Sequence, residues 1–261
     1  MIALAMTATL VTPARAGAID VQYSVSLAGL SLGTATLKGN VSRQGYQLNA
    51  SASLTGLAGM VTGGRGAAVA TGAIAGNRIS PANYSVNAAN SEMSRTIQMG
   101  LSGNTVNQVV VNPPLDAKPD RVAVTSAHKT GVIDPVGAIV MPTSGSPEEA
   151  CNRKLPIFDG AQRFDVTLSY AGTRNASAQE GYSGPVVVCK ARYTPIAGHR
   201  AGRKAVQYMA DNRDMEAWLA PAAEGIYIPF RVSVKTQVGT TVLQATKFRV
   251  EGAETTGAVR R

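Results

Sequence analysis

The sequence predicts a mainly β fold: a long curled antiparallel sheet, an open barrel or β-spiral, around one or two short helices and held by one disulfide. Three observations predict it. Apolar and polar residues alternate in segment after segment, turn signals separate these segments roughly every ten residues, and glycine (27 of 261 residues) is abundant together with Val, Thr and Ser.

The elements follow in order. Val21, Tyr23, Val25 and Leu27 alternate with Gln22, Ser24 and Ser26, which is the period of a half-buried strand. Ala28-Gly29 turns the chain, and residues 30–38 return to make a hairpin. Residues 45–54 give a third strand. The Gly-rich stretch 56–66 is a short helix or a loop. Residues 67–75, 83–88, 94–101 and 105–111 give further strands, with turns at Gly76-Asn77, Asn90, Gly103-Asn104 and Pro113-Pro114. This is the rhythm of an antiparallel meander.

The middle breaks that rhythm. Asp134 can cap a helix by accepting backbone N–H bonds, and Pro135 suits a first helical position. Val136, Ile139 and Val140 fall on one face, and Pro142 stops the run, so a helix of about two turns is expected near 134–141. Strands resume at 164–170, 185–193 and 215–219, and residues 226–234 and 240–250 form a C-terminal hairpin around Gly239. Residues 251–261 read as a frayed tail. No internal repeat and no Pro- or Ser-rich linker interrupts the chain, so residues 17–261 are expected to form one domain.

The first sixteen residues, MIALAMTATLVTPARA, read as an export signal cleaved after Ala16. An apolar stretch ends at Pro13, and Ala14-Arg15-Ala16 has the small-x-small pattern of a cleavage site. No Lys or Arg precedes the apolar stretch, as expected if translation starts upstream of Met1. The alternative is a buried N-terminal helix or strand. The apolar stretch is shorter than the ~18 residues of a membrane span, and no other segment approaches that length. A soluble protein of the periplasm is the expectation.

Net charge is +9 and unevenly placed. Residues 17–150 carry eight Lys/Arg and seven Asp/Glu, whereas residues 151–261 carry sixteen and nine. In an exported chain this excess points away from nucleic acid and toward anionic lipid headgroups or acidic cell-wall polymers. Its densest stretch is KARYTPIAGHRAGRK, where Lys190, Arg192, Arg200, Arg203 and Lys204 stand without an acid among them. These five are the candidate anion-binding residues; the competing reading is a solubilising hairpin.

The two cysteines, Cys151 and Cys189, are expected to pair. Two cysteines in an exported chain most simply form one disulfide, and they are too far apart for the close spacing of a redox pair. Val187, Cys189, Ala191 and Tyr193 share the apolar face of their strand.

Catalytic and metal motifs are weak. Gly29-Leu30-Ser31-Leu32-Gly33 matches G-x-S-x-G, but a strand-like TATLKGN follows where a nucleophile elbow needs a helix. His128 and His199, the only histidines, lack metal-ligand spacing. Glu148-Glu149 and Asp211, Asp214 and Glu216 read as solvated loop charges. There is no phosphate loop and no dinucleotide fingerprint. No catalytic residue, metal or cofactor is therefore expected, and the protein is read as a non-enzyme.

Taken together, YSVSLAGLSLGTATL, DPVGAIV, CNRKLPIFDGAQRFDVTL, VVVCKARYTPIAGHR and IPFRVSVKTQVGTTVLQATKF resemble a family of uncharacterised exported Gram-negative proteins, classed as a domain of unknown function. The resemblance covers most of the chain after residue 16. Its architecture is similar to the LolA/LolB lipoprotein carriers and to a periplasmic β-spiral protein implicated in envelope integrity. It implies an antiparallel sheet curled around a helix, and a cell-envelope role in which a lipid or lipoprotein occupies the concavity. The inward Val, Ile, Leu and Ala positions would suit acyl chains if they leave a cavity, or would fill a closed core. The alternative function is a scaffold that binds an envelope protein or acidic cell-wall polymer through the basic C-terminal surface.

Overall fold

A computed structural model describes residues 17–55 and 64–251. The expected export signal, most of the Gly-rich stretch after residue 55, and the tail beyond Glu251 lie outside the described residues.

Fifteen strands form a single sheet. The N-terminal seven are β1 (Gly17–Leu27), β2 (Leu30–Ser42), β3 (Gly45–Leu54), β4 (Arg65–Ala75), β5 (Arg78–Ala89), β6 (Ser94–Ser102) and β7 (Thr105–Asn112). Each pairs antiparallel with the next. Short turns join most of them, with Gly29, Gly76 and Gly103 at positive φ, which glycine adopts without a Cβ penalty. After an irregular strap, the chain continues through β8 (Met141–Pro142), β9 (Arg153–Phe158), β10 (Arg163–Ser177), β11 (Glu180–Gly181) and β12 (Ser183–Ala197). It ends with β13 (Met215–Ala223), β14 (Ile226–Thr236) and β15 (Gly239–Glu251).

The spatial order is β7-β6-β5-β4-β3-β2-β1-β15-β14-β13-β12-β10-β9. Two meanders are thus joined in the middle by the first and last strands, which pair from Ala18↔Glu251 to Leu27↔Thr241. Strands β7 and β9 are the two ends of the sheet, and it does not close into a barrel. Residues 130–133 stand between those ends. Thr105 pairs with Thr130, Val132 N–H donates to the Asn104 carbonyl, and Ile133 pairs with Ile157 of β9.

The strap, residues 113–150, packs against the inner face of the sheet. Val132, Ile133, Val136, Ala138, Val140 and Met141 are buried against Leu37, Val41, Leu48, Ile74, Ile226 and Ile228. The two-turn helix expected near 134–141 is instead one 3₁₀ turn, Gly137–Ile139. The N-cap residue of that turn is Val136 rather than Asp134; Asp134 lies two residues earlier and steadies the approach, its Oδ1 accepting from the N–H groups of Val136 and Gly137. The turn then ends because Met141-Pro142 are taken into the sheet as β8, paired with Ile226 and Tyr227 of β14. Among the described residues, the one α-helix lies elsewhere. Segment α1 (Lys204–Asp211) follows β12 and buries none of its residues.

Cys151 and Cys189 form a disulfide, with both residues buried. It ties a position two residues before β9 to the middle of β12 across the intervening β10. A second anchor lies at the tip of the β10–β12 hairpin. There β11 pairs parallel to β15, and Tyr182, Phe230 and Phe248 pack with ring centroids 5.5–6.2 Å apart.

Candidate functional site

The inner face of the N-terminal meander is organised in rows that run across the strands. Leu48, Ala70, Tyr84 and Met99 are in register on β3 to β6, and all are buried. One step along the strands the row reads Val21, Leu37, Ala50, Ala68, Val86 and Ile97, and its centre is only half-buried. One step further it reads Tyr23, Ala35, Ala52, Gly66 and Ala88, with Ala52 and Ala88 exposed.

The cause is side-chain size together with the reach of the strap. The strap fills the space over the first row. Over the next two rows the central positions are alanine and glycine, which reach too short a distance to fill a curled sheet. The result is a cavity of about 320 Å³. Ala35, Ala50, Ala52, Gly66 and Ala68 form its floor, with Tyr23, Leu37 and Val86 beside them. Ile139 of the strap and Pro229, Val232 and Leu243 of β14–β15 form the opposite side. Its hydroxyl-bearing neighbours are already engaged. Tyr23 Oη donates to the Pro229 carbonyl at 2.7 Å, and Thr36 and Ser51 hydroxyls meet at 2.8 Å. Burial holds the Tyr23 phenol well above its ordinary range, so it stays neutral. This apolar lining offers dispersion contacts and dehydration to a hydrocarbon.

The five basic residues singled out in the sequence do not converge. Lys190 and Arg192 lie mid-strand on β12, and Lys190 reaches Glu216 at 3.2 Å. Arg200, Arg203 and Lys204 lie beyond the end of the same strand, and seven residues of strand between Lys190 and Ala197 span roughly 23 Å. Arg200 Nε holds Asp120 at 2.7 and 3.0 Å, which keeps that carboxyl below its usual range. Arg192, Arg203 and Lys204 are exposed. A separate cationic cluster, not foreseen from the sequence, surrounds Trp218. Arg174 and Arg231 each lie 5.4 Å from the indole centroid, while its Nε1–H donates to Glu216 at 2.6 Å. These three residues come from β10, β13 and β14, so only the register of the sheet brings them together.

Ser31 of the G-x-S-x-G match lies on β2 directly after a hairpin turn, with a strand and no helix following. His128 Nδ1 accepts from the Thr125 N–H at 3.1 Å, and His199 lies on the loop after β12, where its carbonyl accepts from Val122. Among the described residues, no three His, Cys, Asp or Glu side chains gather as a metal site. No helix among them is long and apolar enough to cross a membrane.

A family model described as "Protein of unknown function (DUF3108)" matches residues 22–246. The chain matches no curated protein and no solved structure.

Proposed function

The chain belongs to the DUF3108 family of proteins of unknown function, and we propose from its geometry that it is a non-enzymatic protein of the periplasm that serves the cell envelope by holding a lipid or lipoprotein acyl chain in its concave sheet. One observation carries this reading: the open, apolar cavity over Ala50, Ala52, Gly66 and Ala68. At about 320 Å³ it has the size of a small-molecule site rather than of a packing defect.

The energetics favour exchange over storage. Burying ten methylenes contributes roughly 8 kcal/mol. Lost translational and chain freedom offsets ~4 kcal/mol or more of that. The remainder, about 4 kcal/mol or less for a ten-methylene chain, corresponds to an affinity of about 1 mM or weaker, which suits a carrier that must release what it holds.

Native mass spectrometry of protein purified from the periplasm tests this reading, alongside the variant Ala68→Phe, whose ring would occupy the floor of the cavity. Lipid adducts are expected with the parent chain after incubation with lipid vesicles and are expected to be lost in the variant. Lipid-free parent protein that also takes up no lipid from vesicles sinks the proposal.

A second reading is a scaffold that docks an envelope protein or an acidic cell-wall polymer. It rests on the exposed Arg192, Arg203 and Lys204. Salt-sensitive capture of cell-wall fragments, lost when these three become Ala, is its expected signature; capture that survives the substitutions counts against it.

A further inference from the structure

The two ends of the sheet leave a second cavity, which shares no lining residue with the first. Where residues 130–133 stand between β7 and β9 the gap is bridged. Beyond that bridge lies a cleft of about 370 Å³ between Val109 of β7, Phe158 of β9 and the turn at Gly160-Ala161. Its remaining wall is the strap, through Leu115, Val122 and Val124.

Charge sets this cleft apart. Lys118, Arg121 and Lys129 line it, and no acidic side chain does. Lys118 meets Asp116 only at 3.8 Å, and that carboxylate is 76% exposed, so solvent screens the pair. Lys129 makes no ion pair among the described residues. Arg121 is held in place: its Nη1 donates to the Gly198 carbonyl at 2.7 Å, and its backbone pairs with Arg200. Its buried Nε finds no acceptor among the described residues. Three cations around an apolar cleft, one of them short of an acceptor, form a surface that lacks its counter-charge.

We propose that this cleft binds a single-chain amphiphile with an anionic head, of which a fatty acid is the simplest example. The hydrocarbon chain lies against Val109, Leu115, Val122, Val124 and Phe158. The head is met by Lys118, Arg121 and Lys129, whose charge-assisted bonds to an oxyanion are stronger than those to a neutral hydroxyl. The volume accommodates one chain, and the charge excludes a cationic head.

Decanoate and decanol, equal in chain length and different in head charge, are the probes. They are titrated into the intact protein while the methyl resonances of valine and leucine are followed by NMR. Decanoate is expected to shift Val109, Leu115, Val122 and Val124, and to bind at least tenfold more tightly than decanol. The double variant Lys118→Ala/Lys129→Ala is expected to lose that tenfold advantage, with decanol binding unchanged. Ala68→Phe, which blocks the other cavity, is expected to leave the decanoate titration as it was. The proposal is overturned if decanoate shifts only Val86 and Leu243 of the first cavity, if decanol binds this cleft as tightly, or if the double variant binds decanoate like the parent.

Discussion

The Tyr46 hydroxyl donates to Asp134 Oδ2 at 3.2 Å, joining β3 to a strap residue 88 positions later in the chain. The other carboxylate oxygen of Asp134 accepts from the N–H groups of Val136 and Gly137, at 2.9 and 2.8 Å. Asp134 is wholly buried, so these three donors have no water to turn to. The strap is therefore held against the sheet by one carboxylate that simultaneously ends its extended run and starts its 3₁₀ turn.

Asp134→Ala leaves three buried donors without acceptors and is expected to cost ~3–5 kcal/mol in urea unfolding. Tyr46→Phe removes one donor and is expected to cost about 1 kcal/mol. Burial, the largest influence, raises the Asp134 carboxyl above its ordinary value and outweighs the hydrogen bonds that lower it. The folded state therefore holds its proton more tightly than the unfolded state does. The stability this contributes is complete below the unfolded value of ~3.9 and is lost as pH rises through the folded value. The cost of Asp134→Asn, measured by urea unfolding at several pH values, is expected to shrink as pH rises from 4 toward 7.

The disulfide closes a segment with a sequence separation of 38. In the chain-entropy model such a loop contributes about 4 kcal/mol. Cys151→Ala/Cys189→Ala is expected to lower unfolding free energy by about that amount, and thiol titration of the native parent is expected to detect no free sulfhydryl.

Lys247 on β15 meets Asp20 on β1 at 2.6 Å, and Lys38 on β2 approaches the same carboxylate at 3.5 Å. The Lys247 hydrogen bond is the main reason the Asp20 carboxyl sits below its ordinary value. A depressed carboxyl stabilises the fold above its unfolded value of ~3.9, and that contribution vanishes as pH falls through the folded value. Lys247→Met keeps the aliphatic stem. It is expected to lower the melting temperature at pH 7 by an amount equivalent to under about 1 kcal/mol, since solvent screens the pair. The difference is expected to close at pH 2–3 and to narrow in high salt.

Gly160, in the turn between β9 and β10, has a φ of +94°, and a Cβ there would fall inside the Ile97 side chain of β6. Gly160→Ala is expected to cost ~2–4 kcal/mol, because strain and overlap act together. Val86→Ala, on β5 in the open part of the N-terminal meander, is expected to cost less than about 1.5 kcal/mol, because its surroundings are already partly empty. Paired thermal melts of the two variants check the contrast.

Legibility in the sequence followed periodicity. Strands β1 and β14 alternate apolar and polar residues over most of their length, so their residues declare them. Strand β9 escaped notice because it is only six residues long and contains Pro156. A sheet end tolerates that proline, whose carbonyl accepts from Ile133 while no neighbour asks for its missing N–H. Helix α1 escaped because no Ser, Thr, Asp or Asn caps it; Arg203 stands in that place. The disulfide was readable from the number of cysteines and the expected compartment. The cavity was not. Ala50, Ala52 and Ala68 can be assigned to the inner face by alternation, but whether that face is filled depends on where a strap eighty residues later comes to rest. The basic stretch shows the converse: neighbours in sequence are drawn apart by about 3.3 Å per residue along an extended strand, so only the fold tells which of its charges stand close together.

The pairing of β1 with β15 also fixes the order of events at synthesis. The first seven strands can zip together as the chain emerges N-terminus first into the compartment where it folds, each beside the one before it. Their founding member must then wait, one flank bare, until almost the whole polypeptide has emerged. For that interval the nascent chain presents a sticky ribbon edge to any passing neighbour. A message truncated before Gly239 would leave that edge bare for good, and its product would be a natural client for holding chaperones.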